Sequence, residues 1–109
     1  MNLNVDNILI IGLGMIGSSI ALASKSKGIK VYGFDKSNDY TKEALEKNII
    51  DSKVESIENI NSKDFVKKVD LIIVSVPPKQ TLDVLNNLKN IWNTDVTITD
   101  TSSVKNHIK

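Results

Sequence analysis

The sequence predicts an α/β fold: a doubly wound parallel sheet of five strands in the order 3-2-1-4-5. Three observations lead to this prediction. Two apolar runs, at residues 8–11 and 71–76, are typical of parallel strands buried on both faces. Helix-forming segments separate these runs from shorter strand-like stretches, so that strands and helices alternate along the chain. A glycine-rich turn closes the first run at Gly12.

The first half of the chain predicts two strand–helix–strand units. After the strand at residues 8–11, a helix is expected to begin near Gly14 and to continue through residues 18–27, with Ile16, Ile20, Leu22 and the neighbouring alanines facing the sheet. Gly28 suits the position just past its end. Residues 29–34 predict the second strand and residues 40–48 the second helix. A short third strand is expected within residues 49–57.

The second half repeats the alternation. Ser62 is suited to capping a brief helix before the strand at residues 71–76. Pro77 and Pro78 end that strand, since proline donates no ladder hydrogen bond, and one of them suits the first turn of a helix over residues 79–92. Residues 96–99 alternate in polarity, which indicates a strand near the sheet edge, and a polar loop is expected at residues 100–103.

Length and composition limit the classes of function. With 109 residues the chain predicts one domain, and 14 basic against 13 acidic side chains leave a net charge of +1, so neither nucleic acid nor an anionic membrane is an expected partner. The absence of cysteine excludes disulfides and thiolate sites, and we expect no metal. The first residues lack signal-peptide character and no apolar run is long enough for a membrane span, so the expected location is the cytoplasm.

The turn after the first strand has the spacing G-x-G-x-x-G, formed by Gly12, Gly14 and Gly17. Gly12 permits a tight turn, Gly14 leaves room for a pyrophosphate, and Gly17 allows the next helix to pack close to the strand. The positive end of that helix would then face the phosphates. Because this spacing also occurs by chance, its position between a strand and a helix is what points to a Rossmann-type dinucleotide site.

Asp35 is the second part of the predicted site. It ends the second strand, 18 positions beyond Gly17, close to the spacing of about 20 at which a carboxylate accepts from adenosine ribose hydroxyls. A simple turn or capping aspartate is the other interpretation. A carboxylate here repels a 2′-phosphate, which favours NAD over NADP, whereas Lys36 beside it would partly offset that repulsion.

Several segments resemble the nucleotide domain of prephenate dehydrogenases. They are residues 10–21, 31–35, 75–77 and 99–105, and together they span nearly the whole chain. The last segment, in which Asp100 precedes Ser103-Val104-Lys105, is the most specific. Residue 102 is serine where the family commonly has glycine.

This resemblance implies an NAD-dependent oxidoreductase of tyrosine biosynthesis. Family members pass hydride from prephenate to NAD(P)⁺ and release carbon dioxide to give 4-hydroxyphenylpyruvate. Ser103 matches the position that orients substrate and nicotinamide, although it would also serve as a helix N-cap. The expected cofactor contacts are Gly12, Leu13, Gly14, Met15, Ile16, Gly17, Asp35, Lys36, Ser75, Val76, Pro77 and Ser103.

The resemblance also indicates what lies outside residues 1–109. The family's catalytic histidine belongs to a His-Pro segment beyond the Ser-Val-Lys element, and a helical C-terminal domain supplies substrate contacts and the homodimer interface. His107, the only histidine, lacks that context and is interpreted as a solvated residue. We therefore expect cofactor binding without turnover. The alternatives are an arogenate dehydrogenase domain, a β-hydroxyacid dehydrogenase domain, and a stand-alone NAD(H)-sensing module.

Overall fold

The computed structural model describes residues 5–55, 69–76, 78–88 and 97–101. Strands and helices alternate along these residues as the sequence predicts, except that residues 56–68, between β3 and β4, lie outside the described part of the chain. The elements are β1 (Asn7–Ile11), α1 (Met15–Ser26), β2 (Lys30–Phe34), α2 (Asn38–Glu46), β3 (Ser52–Lys53), β4 (Leu71–Val74), α3 (Pro78–Asn87) and β5 (Thr97–Asp100).

The strands form one five-stranded sheet in the order β3-β2-β1-β4-β5. Every pairing is parallel, and Ile8 of β1 lies opposite Val31 of β2 on one side and Leu71 of β4 on the other. The predicted fold class and strand order are therefore confirmed. The edge position predicted for the last strand is also confirmed, since β5 pairs with β4 alone.

The core lies on both faces of β1. Leu9 and Ile11 pack with residues of β4 and α3, whereas Ile8 and Ile10 pack with residues of α1 and α2. All four side chains are at most 2% exposed. Burial of a branched apolar side chain contributes about 1.5–3 kcal/mol, so this short run explains why β1 lies at the centre of the sheet.

The buried face of α1 differs from the predicted one. Gly17 and Ala21 are buried and Ile20 is half-buried, whereas Ile16 and Leu22 are 44% and 50% exposed. The prediction is therefore correct for Ala21 and wrong for Ile16, Leu22 and Ala23, which is also exposed. The helix instead presents its smallest residues to the sheet, because close packing on the glycine turn leaves no room for a larger side chain.

Some element ends also differ from the predictions. The helix α1 begins at Met15, as expected, whereas α2 ends at Glu46 rather than residue 48, and β4 ends at Val74 rather than residue 76. The strand β5 includes Asp100, and Thr101 already has a helical backbone, so the start of the expected polar loop was predicted wrongly. The helix expected after Ser62 and residues 89–92 lie outside the described residues.

Asp51 connects three elements near the amino-terminal ends of the strands, at the end of the sheet opposite the glycine turn. Its Oδ2 accepts from the Val31 N–H at 2.8 Å, and its Oδ1 lies 3.3 Å from Lys25 Nζ. Lys25 Nζ also donates to the carbonyl of Asn48, whose φ is 57°. The Val31 N–H, helped by Lys25, holds the pKa of the Asp51 carboxyl below its usual value despite partial burial.

No helix within the described part of the chain is long and apolar enough to cross a membrane.

Candidate cofactor-binding site

A cavity of about 580 Å³ opens where the carboxyl ends of β1, β2 and β4 meet. In a doubly wound sheet the direction of winding reverses at this position, and ligands bind here, outside the carboxyl ends of the strands. The glycine turn contributes Gly12 and Gly14 to its wall, and the end of β2 contributes Asp35. The residues after β4, Ser75 and Val76, form part of the facing wall.

The strand ends at this edge are joined by backbone hydrogen bonds. The N–H of Gly12 donates to the carbonyl of Phe34 at 2.7 Å, and the N–H of Ser75 donates to the carbonyl of Ile11 at 2.7 Å. Each bond continues the hydrogen-bond ladder between two neighbouring strands by one residue beyond the ends of those strands. The cavity floor is therefore part of the sheet.

Gly12 and Gly17 are required by close packing. Gly12 has a φ of 101°, and a Cβ built on it would lie 2.2 Å from the Ser75 carbonyl oxygen. A Cβ on Gly17 would lie 1.9 Å from the Gly12 carbonyl oxygen. Both contacts are far shorter than atoms tolerate, so each glycine allows two stretches of backbone to touch.

Gly14 differs from its two neighbours in the motif. A Cβ on Gly14 would meet no atom within 4 Å, and its φ of −74° is open to any residue. The protein's own packing therefore gives no reason for glycine here. Space for a ligand against the backbone is the remaining physical reason that the motif offers.

The N-terminus of α1 begins beside this open space. In the described part of the chain, no side chain caps this helix and no acidic residue stands in its first turn. A helix leaves its first N–H groups without partners inside the helix, and its dipole places positive potential there. The terminus can accept an anionic group such as a pyrophosphate.

Asp35 bridges the glycine turn and the loop after β2. Its Oδ2 accepts from the Leu13 N–H at 2.7 Å, and its Oδ1 accepts from the Ser37 N–H at 2.8 Å. Ser37 in turn caps α2 by accepting from the Tyr40 N–H. A carboxylate has about four acceptor positions, so two bonds leave capacity for ribose hydroxyls.

The structure brings six of the predicted contact residues to one cavity: Gly12, Gly14, Asp35, Lys36, Ser75 and Val76. The others are placed differently. The Leu13 side chain is buried in the core, Gly17 lies on the buried face of α1, and Met15 and Ile16 project from α1, with Met15 88% exposed. Pro77 and Ser103 lie outside the described residues.

Sequence reasoning missed the side walls of the cavity. One wall comes from the start of α2 and the other from α3, which contribute Ser37, Tyr40, Gln80, Asp83 and Val84. The i, i+3, i+4 spacing of the last three places them on one helix face. Nothing in that spacing distinguishes a face that borders a ligand from one that borders solvent.

Comparison with known proteins gives consistent results. The sequence profile of the prephenate dehydrogenase nucleotide-binding domain matches residues 20–109. The prephenate dehydrogenase of Bacillus subtilis is 35% identical over 99% of this chain, and that of Lactococcus lactis is 38% identical over 95%. Among solved structures, the prephenate dehydrogenase of A. aeolicus in complex with hydroxyphenyl propionate and NAD⁺ superimposes with a TM-score of 0.79 at 30% identity, covering 93% of this chain.

The similarity extends over one part of each relative. This chain spans 29% of the B. subtilis protein, 28% of the L. lactis protein and 35% of the A. aeolicus chain. The profile match covers most of this chain and the five-stranded sheet agrees with it. The chain therefore belongs to the family of prephenate dehydrogenase nucleotide-binding domains.

Proposed function

We propose that this chain binds NAD⁺ at the cavity between β1, β2 and β4 and forms the cofactor-binding part of a prephenate dehydrogenase. The observation that carries the proposal is the continuity of the cavity from Gly14 to Asp35. The pyrophosphate would rest on the bare backbone at Gly14, against the uncapped end of α1. The adenosine ribose would then lie at Asp35, whose carboxylate retains acceptor capacity.

The charge of Asp35 favours NAD⁺ over NADP⁺. Two unit charges of like sign repel by about 3 kcal/mol at about 5 Å when the effective dielectric constant is about 20, and partial exposure reduces this. A 2′-phosphate carries more than one negative charge near neutral pH and would lie beside the carboxylate. Lys36 is exposed and lines the same cavity, so it offsets a part of this repulsion.

The proposed reaction of the whole protein is the oxidative decarboxylation of prephenate. Bound NAD⁺ would supply the acceptor for the hydride on the ring carbon that bears the hydroxyl. A base would take the hydroxyl proton, and the oxygen would regain a proton as loss of carbon dioxide makes the ring aromatic and gives 4-hydroxyphenylpyruvate. This chain contributes the position of the dinucleotide. Ser103, as the family position that orients substrate and nicotinamide, would help. The base would come from the family's His-Pro segment beyond the Ser-Val-Lys element, and the substrate contacts and the dimer interface would come from the family's helical domain. This chain alone should therefore bind cofactor in the cytoplasm without turnover.

The test is titration of the purified chain with NAD⁺ and with NADP⁺ by calorimetry. We expect wild type to bind NAD⁺ at least about tenfold more tightly, a difference of about 1.4 kcal/mol. Asp35→Asn keeps the size of the side chain and one acceptor oxygen but removes the charge, so the preference should fall to about twofold. Asp39→Asn is the matched control, because Asp39 is an exposed acid of α2 that does not line the cavity.

The outcomes separate the parts of the proposal. Failure of wild type to bind either dinucleotide would refute the binding function. Equal affinities for the two dinucleotides in wild type would refute the charge argument for Asp35 alone. Oxidation of prephenate by this chain, followed through NADH absorbance, would refute the assignment of the base to a segment outside residues 1–109.

A further inference from the structure

Leu13 precedes Gly14 in the glycine turn, and its side chain lies in the core. Leu13 is 5% exposed, whereas Gly14 and Met15 next to it are exposed. Its main chain is bonded on both sides: the N–H donates to Asp35 Oδ2 at 2.7 Å, and the carbonyl oxygen accepts from Ser18 Oγ at 3.1 Å. The position of Leu13 therefore fixes the backbone that continues into Gly14.

The space that the Leu13 side chain occupies is bounded by Gly33 of β2 and by Ile50, which follows α2. A Cβ on Gly33 would lie 3.2 Å from Leu13 Cδ1 and 2.9 Å from both Cγ2 and Cδ1 of Ile50. All three residues are buried, and the two side chains belong to the same hydrophobic cluster. Because Gly33 has no side chain, it leaves the room in which Leu13 and Ile50 pack.

Gly33 and Ile50 are not among the residues that line the described cavity. Ile50 has little freedom to move, since it is 2% exposed and the N–H of the next residue donates to the carbonyl of Val31 at 2.8 Å. A methyl group at Gly33 would therefore require Leu13 to move by a few tenths of an ångström. The backbone at Gly14 would move with it.

We propose that Gly33 and Ile50 are positioning residues for the pyrophosphate, and that they act through the side chain of Leu13. This role rests on the proposed binding of NAD⁺ at Gly14. Backbone N–H groups bond well only at short distance and with nearly straight geometry, and a binding site has to be held within about 0.5 Å of its productive geometry. The apolar packing behind the turn supplies this precision without touching the ligand.

The test is a double-mutant cycle on the purified chain, with NAD⁺ affinity measured by calorimetry and Tm by circular dichroism. Gly33→Ala should weaken NAD⁺ binding about tenfold, because the new methyl group displaces Leu13 and the turn. Ile50→Ala should weaken it about threefold, since Leu13 loses a neighbour. In the double variant the methyl group fills part of the space that Ile50 leaves, so the affinity should return to within about twofold of wild type.

A merely structural role predicts a different pattern, in which losses accumulate and the double variant binds no better than either single variant. The positioning role predicts that Gly33→Ala lowers the affinity in the wild-type background and raises it in the Ile50→Ala background. The second comparison stands even if Gly33→Ala alone does not fold.

Val69→Ala is the matched control. Val69 is buried just before β4, at the amino-terminal end of the sheet and away from the glycine turn. Its truncation removes core volume, so it should lower Tm by about 8 °C and leave the affinity for NAD⁺ unchanged.

Each result has one consequence. Wild-type affinity in Gly33→Ala would overturn the positioning role, and so would a double variant that binds more weakly than Ile50→Ala. A tenfold loss of affinity in Val69→Ala, about that expected of Gly33→Ala, would show that global stability controls binding, which overturns it too. Absence of NAD⁺ binding by wild type would instead refute the proposed function.

Discussion

Alanine at Gly17 should destabilise this domain far more than alanine at Gly14. The Cβ added at Gly17 would lie 1.9 Å from the Gly12 carbonyl oxygen, and such contacts are essentially never shorter than 3.0 Å, so the helix and the turn must separate by about 1.1 Å. The turn cannot retreat easily, since the Gly12 N–H is bonded to Phe34. Overpacking costs about 1–3 kcal/mol, occasionally more, and backbone on both sides places Gly17→Ala at about 3 kcal/mol or above.

Thermal unfolding followed by circular dichroism measures this loss. In a domain of this size about 1 kcal/mol shifts Tm by about 4–8 °C, so Tm should fall by at least about 12 °C. Gly14→Ala is the matched control within the same motif. Its Cβ would meet nothing within 4 Å, so stability should change by less than about 0.5 kcal/mol.

The same pair of variants tests where the pyrophosphate lies. If the phosphates rest on the backbone at Gly14, the added methyl group occupies their place, and Gly14→Ala should bind NAD⁺ at least about tenfold more weakly while remaining folded. A wild-type Tm for Gly17→Ala would refute the packing argument. Wild-type affinity in Gly14→Ala would show that the phosphates lie elsewhere.

Two further predictions concern Asp51 and Asn48, near the amino-terminal ends of the strands. Because the pKa of Asp51 is lower in the folded chain, its stabilising effect is complete above its unfolded pKa of about 4 and is lost as the pH falls through the folded value. Asp51→Asn should therefore destabilise the domain at about pH 7 but hardly at about pH 2, as denaturant unfolding would reveal, and an equal loss at both values would contradict this. Asn48 has a φ of 57°, so Asn48→Ala should lower the free energy of unfolding by about 1 kcal/mol and Asn48→Gly should not; equal losses would exclude backbone strain as the cause.

The sequence predicts the sheet well because its signals are local. Four branched apolar residues fix β1 as a strand with two buried faces, and the alternation of elements fixes the parallel order. The face of α1 was predicted wrongly because burial there depends on how closely the helix approaches Gly12. That distance is a property of the folded pair, and it reverses the usual preference for large apolar side chains.

The candidate site likewise has one part that the sequence predicts and one part that depends on the folded arrangement. The spacing from Gly12 to Asp35 follows from a strand, a helix and a second strand of ordinary length, so it can be read along the chain. The contribution of α3 cannot be read in this manner. Gln80 and Asp83 form a polar helix face of the kind that usually borders water. Only the position of α3 in the folded domain brings them to the wall of the cavity that Tyr40 also lines.

The hydrogen bonds of Asp35 have a consequence for binding. They tie the glycine turn, through Leu13, to the start of α2, through Ser37. Both bonds lie within the chain and hold the backbone next to Gly14, which lowers the cost of ordering a loop on association. The same carboxylate would then serve as a structural tie and as a recognition group. Asp35→Asn keeps an acceptor oxygen for one of the two N–H groups, whereas a truncation would free both, so Asp35→Asn removes the charge with the smaller loss of support.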